Sequence, residues 1–317
     1  MSVIQRAMEQ IPYPPREGVL LEPWTRCGAG TPRQPDCAGE PAAEAIIPTA
    51  AAAPASSLPV PDASRRFSLD FSVLEQHGLI TPTSRQSRLA EEIRLVKRRL
   101  LHRMQPGAGD REETDHGSRT VLITSSRPGE GKSFLALNLA LSLILDEGLN
   151  VLLVDASVAR PTMLKRLGLT AMTKDKPLLG LTDLLRDPNL PVSATLLRDP
   201  ERRLSILPPG TPVDSATDLF TGARMRALVA DFGHRYPDRV LLFDAPPLLA
   251  RTEPIALARL VGQILFVVEC NKTPFQVIAS ALELIHNNNC ISMVMNKMNK
   301  AGSHNRFGDY HAEYSDN

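Results

Sequence analysis

Residues 120–140 read TVLITSSRPGEGKSFLALNLA and constrain this chain more than any other stretch. An apolar, β-favouring run ends at Thr124. A turn-rich segment with two glycines follows, and Gly131-Lys132-Ser133 opens a helical pattern. The order matters chemically. Backbone N–H groups of such a loop and of the helix start converge on one spot and hold phosphate oxygens. Pro128, Gly129, Glu130, Gly131, Lys132, Ser133 and Phe134 supply that backbone. Gly129 and Gly131 allow close approach, Lys132 brings a positive charge to the β- and γ-phosphates, and Ser133 offers a hydroxyl to Mg2+. The general pattern is GxxxxGK[ST]; Ser126 stands at its first glycine.

Two later apolar runs end in acids. VLLVD places Asp155, and VLLFDAPP places Asp244, at strand ends. Further short runs at Thr120–Thr124, Leu204–Leu207, Ile264–Val268 and Ile291–Met295 alternate with helical patterns at Ser133–Leu145, Ala223–Phe232 and Pro274–Ile285. That alternation predicts an α/β fold, a mostly parallel sheet with helices on both faces. Ligands of such sheets sit beyond the carboxyl ends of the strands. Asp155 and Asp244 are therefore expected to face the phosphate loop, where they hold a metal and accept a proton. Each acid alone fits a helix cap equally well; the loop makes the pair a site.

Upstream, the chain divides by composition. Residues 1–11 are expected to form a short helix, and the proline-dense 12–64 a disordered linker. Residues 65–105 read as a helical segment and 106–118 as a second linker. Residues 119–300 form the nucleotide domain and 301–317 a polar, flexible tail. In SRQSRLAEEIRLVKRRLLHRM, Ser84 or Ser87 is positioned to cap a strong helix. Leu89, Ile93, Val96, Leu100 and Leu101 repeat at helical spacing, and Glu91, Glu92, Arg94, Lys97, Arg98 and Arg99 are expected on the outer face.

A net charge of +1 and 4% aromatic residues give no footprint for nucleic acid. No run is long and apolar enough to span a bilayer and no secretory leader is evident, so direct membrane insertion is not expected and the cytoplasm is. The four cysteines lack metal or redox spacing and are expected to be reduced.

Taken together, SSRPGEGKS, VLLVDASVARPTM and VLLFDAPPLL resemble the Walker A, A′ and B motifs of the bacterial tyrosine kinases, P-loop NTPases related to the ParA/MinD ATPases. The stretch FSLDFSVLEQHGLITPTSRQSRLAEEIRLVKR is similar to the subgroup from exosortase/PEP-CTERM exopolysaccharide loci. The resemblance implies ATP and Mg2+ as cofactors, with Ser133, Asp155 and Asp244 at the metal and Lys132, Asp155, Asp244 and Arg160 in catalysis. It puts Asn296 near the adenine. It makes Glu91, Arg94 and Lys97 an assembly motif for a ring or head-to-tail homo-oligomer. It also implies autophosphorylation in trans on Tyr310 and Tyr314, two of only four tyrosines. The implied partner is a membrane chain-length determinant that recruits the protein to the inner face of the inner membrane. Ser157 departs from the pattern, standing where a second acid is common. Ala159 replaces a basic residue, Lys97 an arginine, and Glu253 an aspartate. Arg127-Pro128 stands where ParA/MinD proteins carry an extra lysine. A ParA/MinD-like ATPase and a non-catalytic, nucleotide-gated scaffold are the alternative readings.

Overall fold

The computed structural model describes residues 65–104, 119–146, 149–173, 178–201, 203–213, 216–236, 238–286 and 290–298. The expected N-terminal helix, both linkers and the tail with Tyr310 and Tyr314 lie outside these residues.

Seven strands form one sheet in the order β3-β4-β2-β5-β1-β6-β7. They are β1 (Thr120–Ser125), β2 (Asn150–Asp155), β3 (Leu197–Asp199), β4 (Leu204–Leu207), β5 (Arg239–Asp244), β6 (Gln263–Glu269) and β7 (Ile291–Asn296). All neighbours run parallel except β3 and β4, which form an antiparallel hairpin. The expected mostly parallel sheet is thus present, with one short edge strand added.

Alternation along the strands sends successive side chains to opposite faces. Val121, Ile123, Val151, Leu153, Val240, Leu242, Leu265 and Val267 join one core. Leu122, Leu152, Val154, Leu241, Phe243, Ile264, Phe266 and Val268 join the other. With both faces covered, the central strands need no polar alternation, which is why they read as unbroken apolar runs.

The first core is closed by α1 (Phe71–Gln76), α2 (Arg88–His102) and α3 (Lys132–Asp146). Asp70 caps α1 by accepting from the Ser72 amide at 2.9 Å, and Ser87 caps α2 by accepting from Ala90 at 3.2 Å. Every residue of α3 from Leu135 to Ile144 is buried, because the sheet lies on one side and α2 on the other. Its buried Asn138 is satisfied twice. Oδ1 accepts from the Ile80 amide at 2.8 Å, and Nδ2 donates to the Phe134 carbonyl at 3.0 Å. The segment after α1 is thereby tied to the helix that carries the phosphate loop. The chain continues through α4 (Met163–Arg166), α5 (Leu181–Arg186), α6 (Ala216–Thr221), α7 (Ala223–Arg235), α8 (Glu253–Ala258) and α9 (Phe275–Glu283). Of these, α5 to α8 and the end of α9 line the second core. Among the described residues no helix is long and apolar enough to cross a membrane.

One expectation about α2 is corrected. Lys97 is not on an outer face: it is only 4% exposed, and its Nζ donates to Asp146 Oδ2 at 2.8 Å. Arg94 reaches the same carboxylate at 3.5 Å and also pairs with Glu91. Asp146 ends α3 and draws both cations inward, so the charge run in the sequence is split between solvent and this intrachain cluster.

Candidate functional site

The loop from Ser126 to Gly131 joins β1 to α3. Gly129 and Gly131 have φ of +89° and +99°, a region where a side chain is strained. A Cβ at Gly131 would also lie 1.9 Å from Asn296 Nδ2, so the Asn296 amide would have to shift. That amide donates to the Glu130 carbonyl at 2.9 Å, and Lys297 Nζ donates to the Gly129 carbonyl at 2.6 Å. Lys297 also lies 3.3 Å from Glu269 Oε2, so the ends of β6 and β7 brace the loop from outside.

From inside, the loop is held by the Glu130 carboxylate, which is 2% exposed. It accepts from Ser126 Oγ at 2.9 Å, from the Arg127 amide at 2.7 Å and from Thr273 Oγ1 at 2.5 Å. This explains Ser126 at a position where glycine is usual: its hydroxyl is a partner of a buried charge. Only the backbone of Glu130 is left to serve a ligand. Phe134 packs its ring on the first core, near Gly78, and so it too offers backbone alone. Arg127, Pro128 and Gly129 are exposed at the mouth.

Asp155 and Asp244 end the adjacent strands β2 and β5 and face each other in register, each 1% exposed. Asp155 Oδ1 accepts from the Ser157 amide at 3.0 Å, while Asp155 Oδ2 and Asp244 Oδ1 are buried without a hydrogen-bond partner. Ser133 donates to Asp244. Burial, with the neighbouring Asp244 charge, pushes the Asp155 carboxyl well above its ordinary range. Burial also raises Asp244, to about 6, against the Ser133 hydrogen bond and the charges of Lys132 and Arg166. Lys132 is lowered by burial, and Asp244, Glu130 and Asp155 oppose that shift. The structure therefore brings Lys132, Ser133, Asp155 and Asp244 into one electrostatic cluster at the carboxyl end of the sheet.

The two orphaned carboxylate oxygens test the fit of Mg2+. Buried, unpartnered and beside a hydroxyl, they are hard oxygen donors of the type this ion takes. Among the described residues no cluster of three or more His, Cys, Asp or Glu is poised to hold a metal. A cation here rests on two carboxylates and a hydroxyl, which leaves coordination positions for phosphate oxygens, as magnesium sites on phosphorylated substrates do. The residues fit the ion.

Arg160 is exposed, and its amide donates to the Ser157 carbonyl at 3.3 Å. The arginine whose charge reaches Lys132 and Asp244 is Arg166, at the end of α4. Sequence reading missed it because nothing in LKRLG marks it. It also missed Lys297 and Thr273, whose roles depend on segments more than a hundred residues away. Asn296 is turned to the loop, where it holds a carbonyl.

The strand order, the glycine loop at a helix start and the paired strand-end acids are those of a P-loop NTPase fold. No family model matches the chain. It is 26% identical over 243 residues to the tyrosine-protein kinase YwqD of Bacillus subtilis, covering 74% of this chain and 92% of that protein. It is 30% identical over 213 residues to the succinoglycan biosynthesis transport protein ExoP of Rhizobium meliloti, covering 62% of this chain but 26% of that protein's length. Its fold matches the crystal structure of the VpsO kinase domain with a TM-score of 0.55 at 25% identity, over 69% of this chain and all of that one. The chain is thus related to the bacterial tyrosine kinases in sequence and in fold.

Proposed function

We propose that this protein is an ATP-dependent protein-tyrosine autokinase. It transfers the γ-phosphoryl group of Mg·ATP to Tyr310 and Tyr314 of a neighbouring copy and so regulates exopolysaccharide synthesis or export. The observation that carries the reading is the cluster of Lys132, Ser133, Asp155 and Asp244 around two unpartnered carboxylate oxygens. The similarity to YwqD favours a kinase over a partitioning ATPase. The similarity to ExoP, a succinoglycan biosynthesis transport protein, favours a polysaccharide setting, in which a membrane chain-length determinant is the proposed partner.

The loop amides and Lys132 bind the β- and γ-phosphates, and Ser133, Asp244 and Asp155 are the residues that would hold Mg2+. That ion, when bound, neutralises charge on the phosphates. The phenolic oxygen of the incoming tyrosine bonds to the γ-phosphorus as the bond to the β–γ bridging oxygen breaks, and ADP departs. The phenolic proton passes to Asp155, whose carboxylate stands beside Lys132 and Asp244 at the strand ends. Exposed Arg160 is available to a second subunit.

The test is phosphopeptide mass spectrometry after incubation with Mg·ATP. Phosphotyrosine on residue 310 or 314 is expected, and none with Lys132→Met. Release of ADP without phosphotyrosine would instead indicate a ParA/MinD-like ATPase. ATP binding without turnover would indicate the scaffold reading, which Ser157 favours because it removes an acid from the second motif.

A further inference from the structure

At the opposite end of the sheet lies a cavity of about 280 Å3 that the nucleotide reading does not use. Asn150 and Arg239 are the first residues of β2 and β5, whose last residues are Asp155 and Asp244. Five strand steps of roughly 3.3 Å separate the two ends. The cavity is lined by the arginines at 66, 198, 203 and 239, together with Asn150 and Ser205. One acid, Asp199, shares the wall.

The arginines are not placed as surface charges usually are. Arg198 Nε and Nη2 and Arg239 Nε are buried without a hydrogen-bond partner. Arg239 spends Nη1 on Ser205 Oγ at 3.1 Å and lays its guanidinium over the Tyr236 ring at 4.6 Å. Burial pushes the Arg198 guanidinium down from its ordinary range; Tyr236 opposes that shift and the charge of Arg239 adds to it. Two partly buried guanidiniums that repel each other, each with an N–H that has no acceptor, favour an anion between them. Arg203 adds a second sign. It sits in the β3–β4 turn at φ 56°, a left-handed conformation that a non-glycine residue takes at a cost.

We propose that this cavity binds a dianionic phosphate group, free or carried as a monoester, separately from the nucleotide loop. Arginine forks match tetrahedral oxyanions bidentately, and the unpartnered N–H groups of Arg198 and Arg239 offer more donors than a single carboxylate takes. The volume holds a phosphate with a small substituent; at about 30 Å3 per water it is too small for an oligonucleotide.

The experiment uses the full chain with saturating Mg·ADP, so that the nucleotide loop is filled, and repeats it in Lys132→Met. Inorganic phosphate, phenyl phosphate and glycerol phosphate are titrated against sodium chloride at matched ionic strength, reading calorimetric heat and melting temperature. At least one phosphate is expected to bind and raise the melting temperature, and the ranking of the three identifies the source. Arg198→Gln is expected to weaken that binding by at least about tenfold while leaving the ligand-free protein no less stable, since it removes a buried unpaired charge. Arg203→Gly, which relieves the turn, is expected to weaken it in the same direction and provides a variant on the rim. Absence of response to all three phosphates, or a response that both variants keep, overturns the proposal.

Discussion

Asp244 places a carboxylate oxygen in a dry interior with no hydrogen-bond donor, and its neighbour Asp155 does the same. Such atoms cost stability in the ligand-free protein and are tolerated where a cation compensates them. Asp244 illustrates the pH consequence. Its carboxyl titrates near 6 folded against 3.8 ordinarily, so its contribution to stability is full below pH 3.8 and lost as pH rises through 6. Asp244→Asn is therefore expected to melt at the same temperature as the wild type near pH 4. Above pH 6, in EDTA, it should gain stability on the order of 3 kcal/mol while losing Mg-dependent nucleotide binding. Thermal melts with and without Mg·ADP check both parts, and an Asn variant less stable than wild type at pH 7 would count against a cation site. Ser126→Gly would make the loop match its general pattern, yet it is expected to destabilise by about 1–2 kcal/mol because buried Glu130 loses a donor. The loop lysine and the paired acids were legible because each is a local pattern at a strand end or helix start. The Glu130 anchor was not: its third partner, Thr273, is 143 residues away.

At the scale of elements, α2 has two different charged faces. Lys97 and Arg94 turn toward Asp146 at the end of α3, so this part of the motif holds the protein's own helices together. Removing Asp146 takes from buried Lys97 the carboxylate 2.8 Å from its Nζ. Asp146→Ala is accordingly expected to cost about 2–3 kcal/mol, less than a fully buried pair because Asp146 is partly exposed, and more than Arg94→Ala. Glu91 and Glu92 are exposed. If α2 also docks a neighbouring subunit, Glu91→Ala should shift the sedimentation profile and leave the unfolding free energy within about 0.5 kcal/mol of wild type. Asp146→Ala should do the reverse. The helix, its cap and its apolar stripe were readable from spacing, but the inward turn of Lys97 was not. Its position in KRR carries no sign of the acid 49 residues on. The β3 strand was missed for a related reason. Three residues with a central arginine make no periodic pattern, and its existence depends on pairing with β4.

For the whole molecule, the proposed autophosphorylation turns on whether the acceptor tyrosine belongs to the same copy as the site. A transfer in trans needs only that the tail of one chain reach the loop of another, so donor and acceptor functions can be divided between two variants. Lys132→Met supplies a tail without a working loop. The double variant Tyr310→Phe, Tyr314→Phe supplies a loop without its acceptors. Incubated separately with Mg·ATP, neither should acquire phosphotyrosine in its tail. Mixed, they are expected to yield phosphotyrosine on the Lys132→Met chain alone. The initial rate should rise with the square of total protein at concentrations below assembly, because two copies meet in each event. Transfer within one copy predicts a silent mixture and a first-order rate. That outcome would leave the loop, its lysine and its paired acids where they are and move the acceptor into the chain that binds the nucleotide.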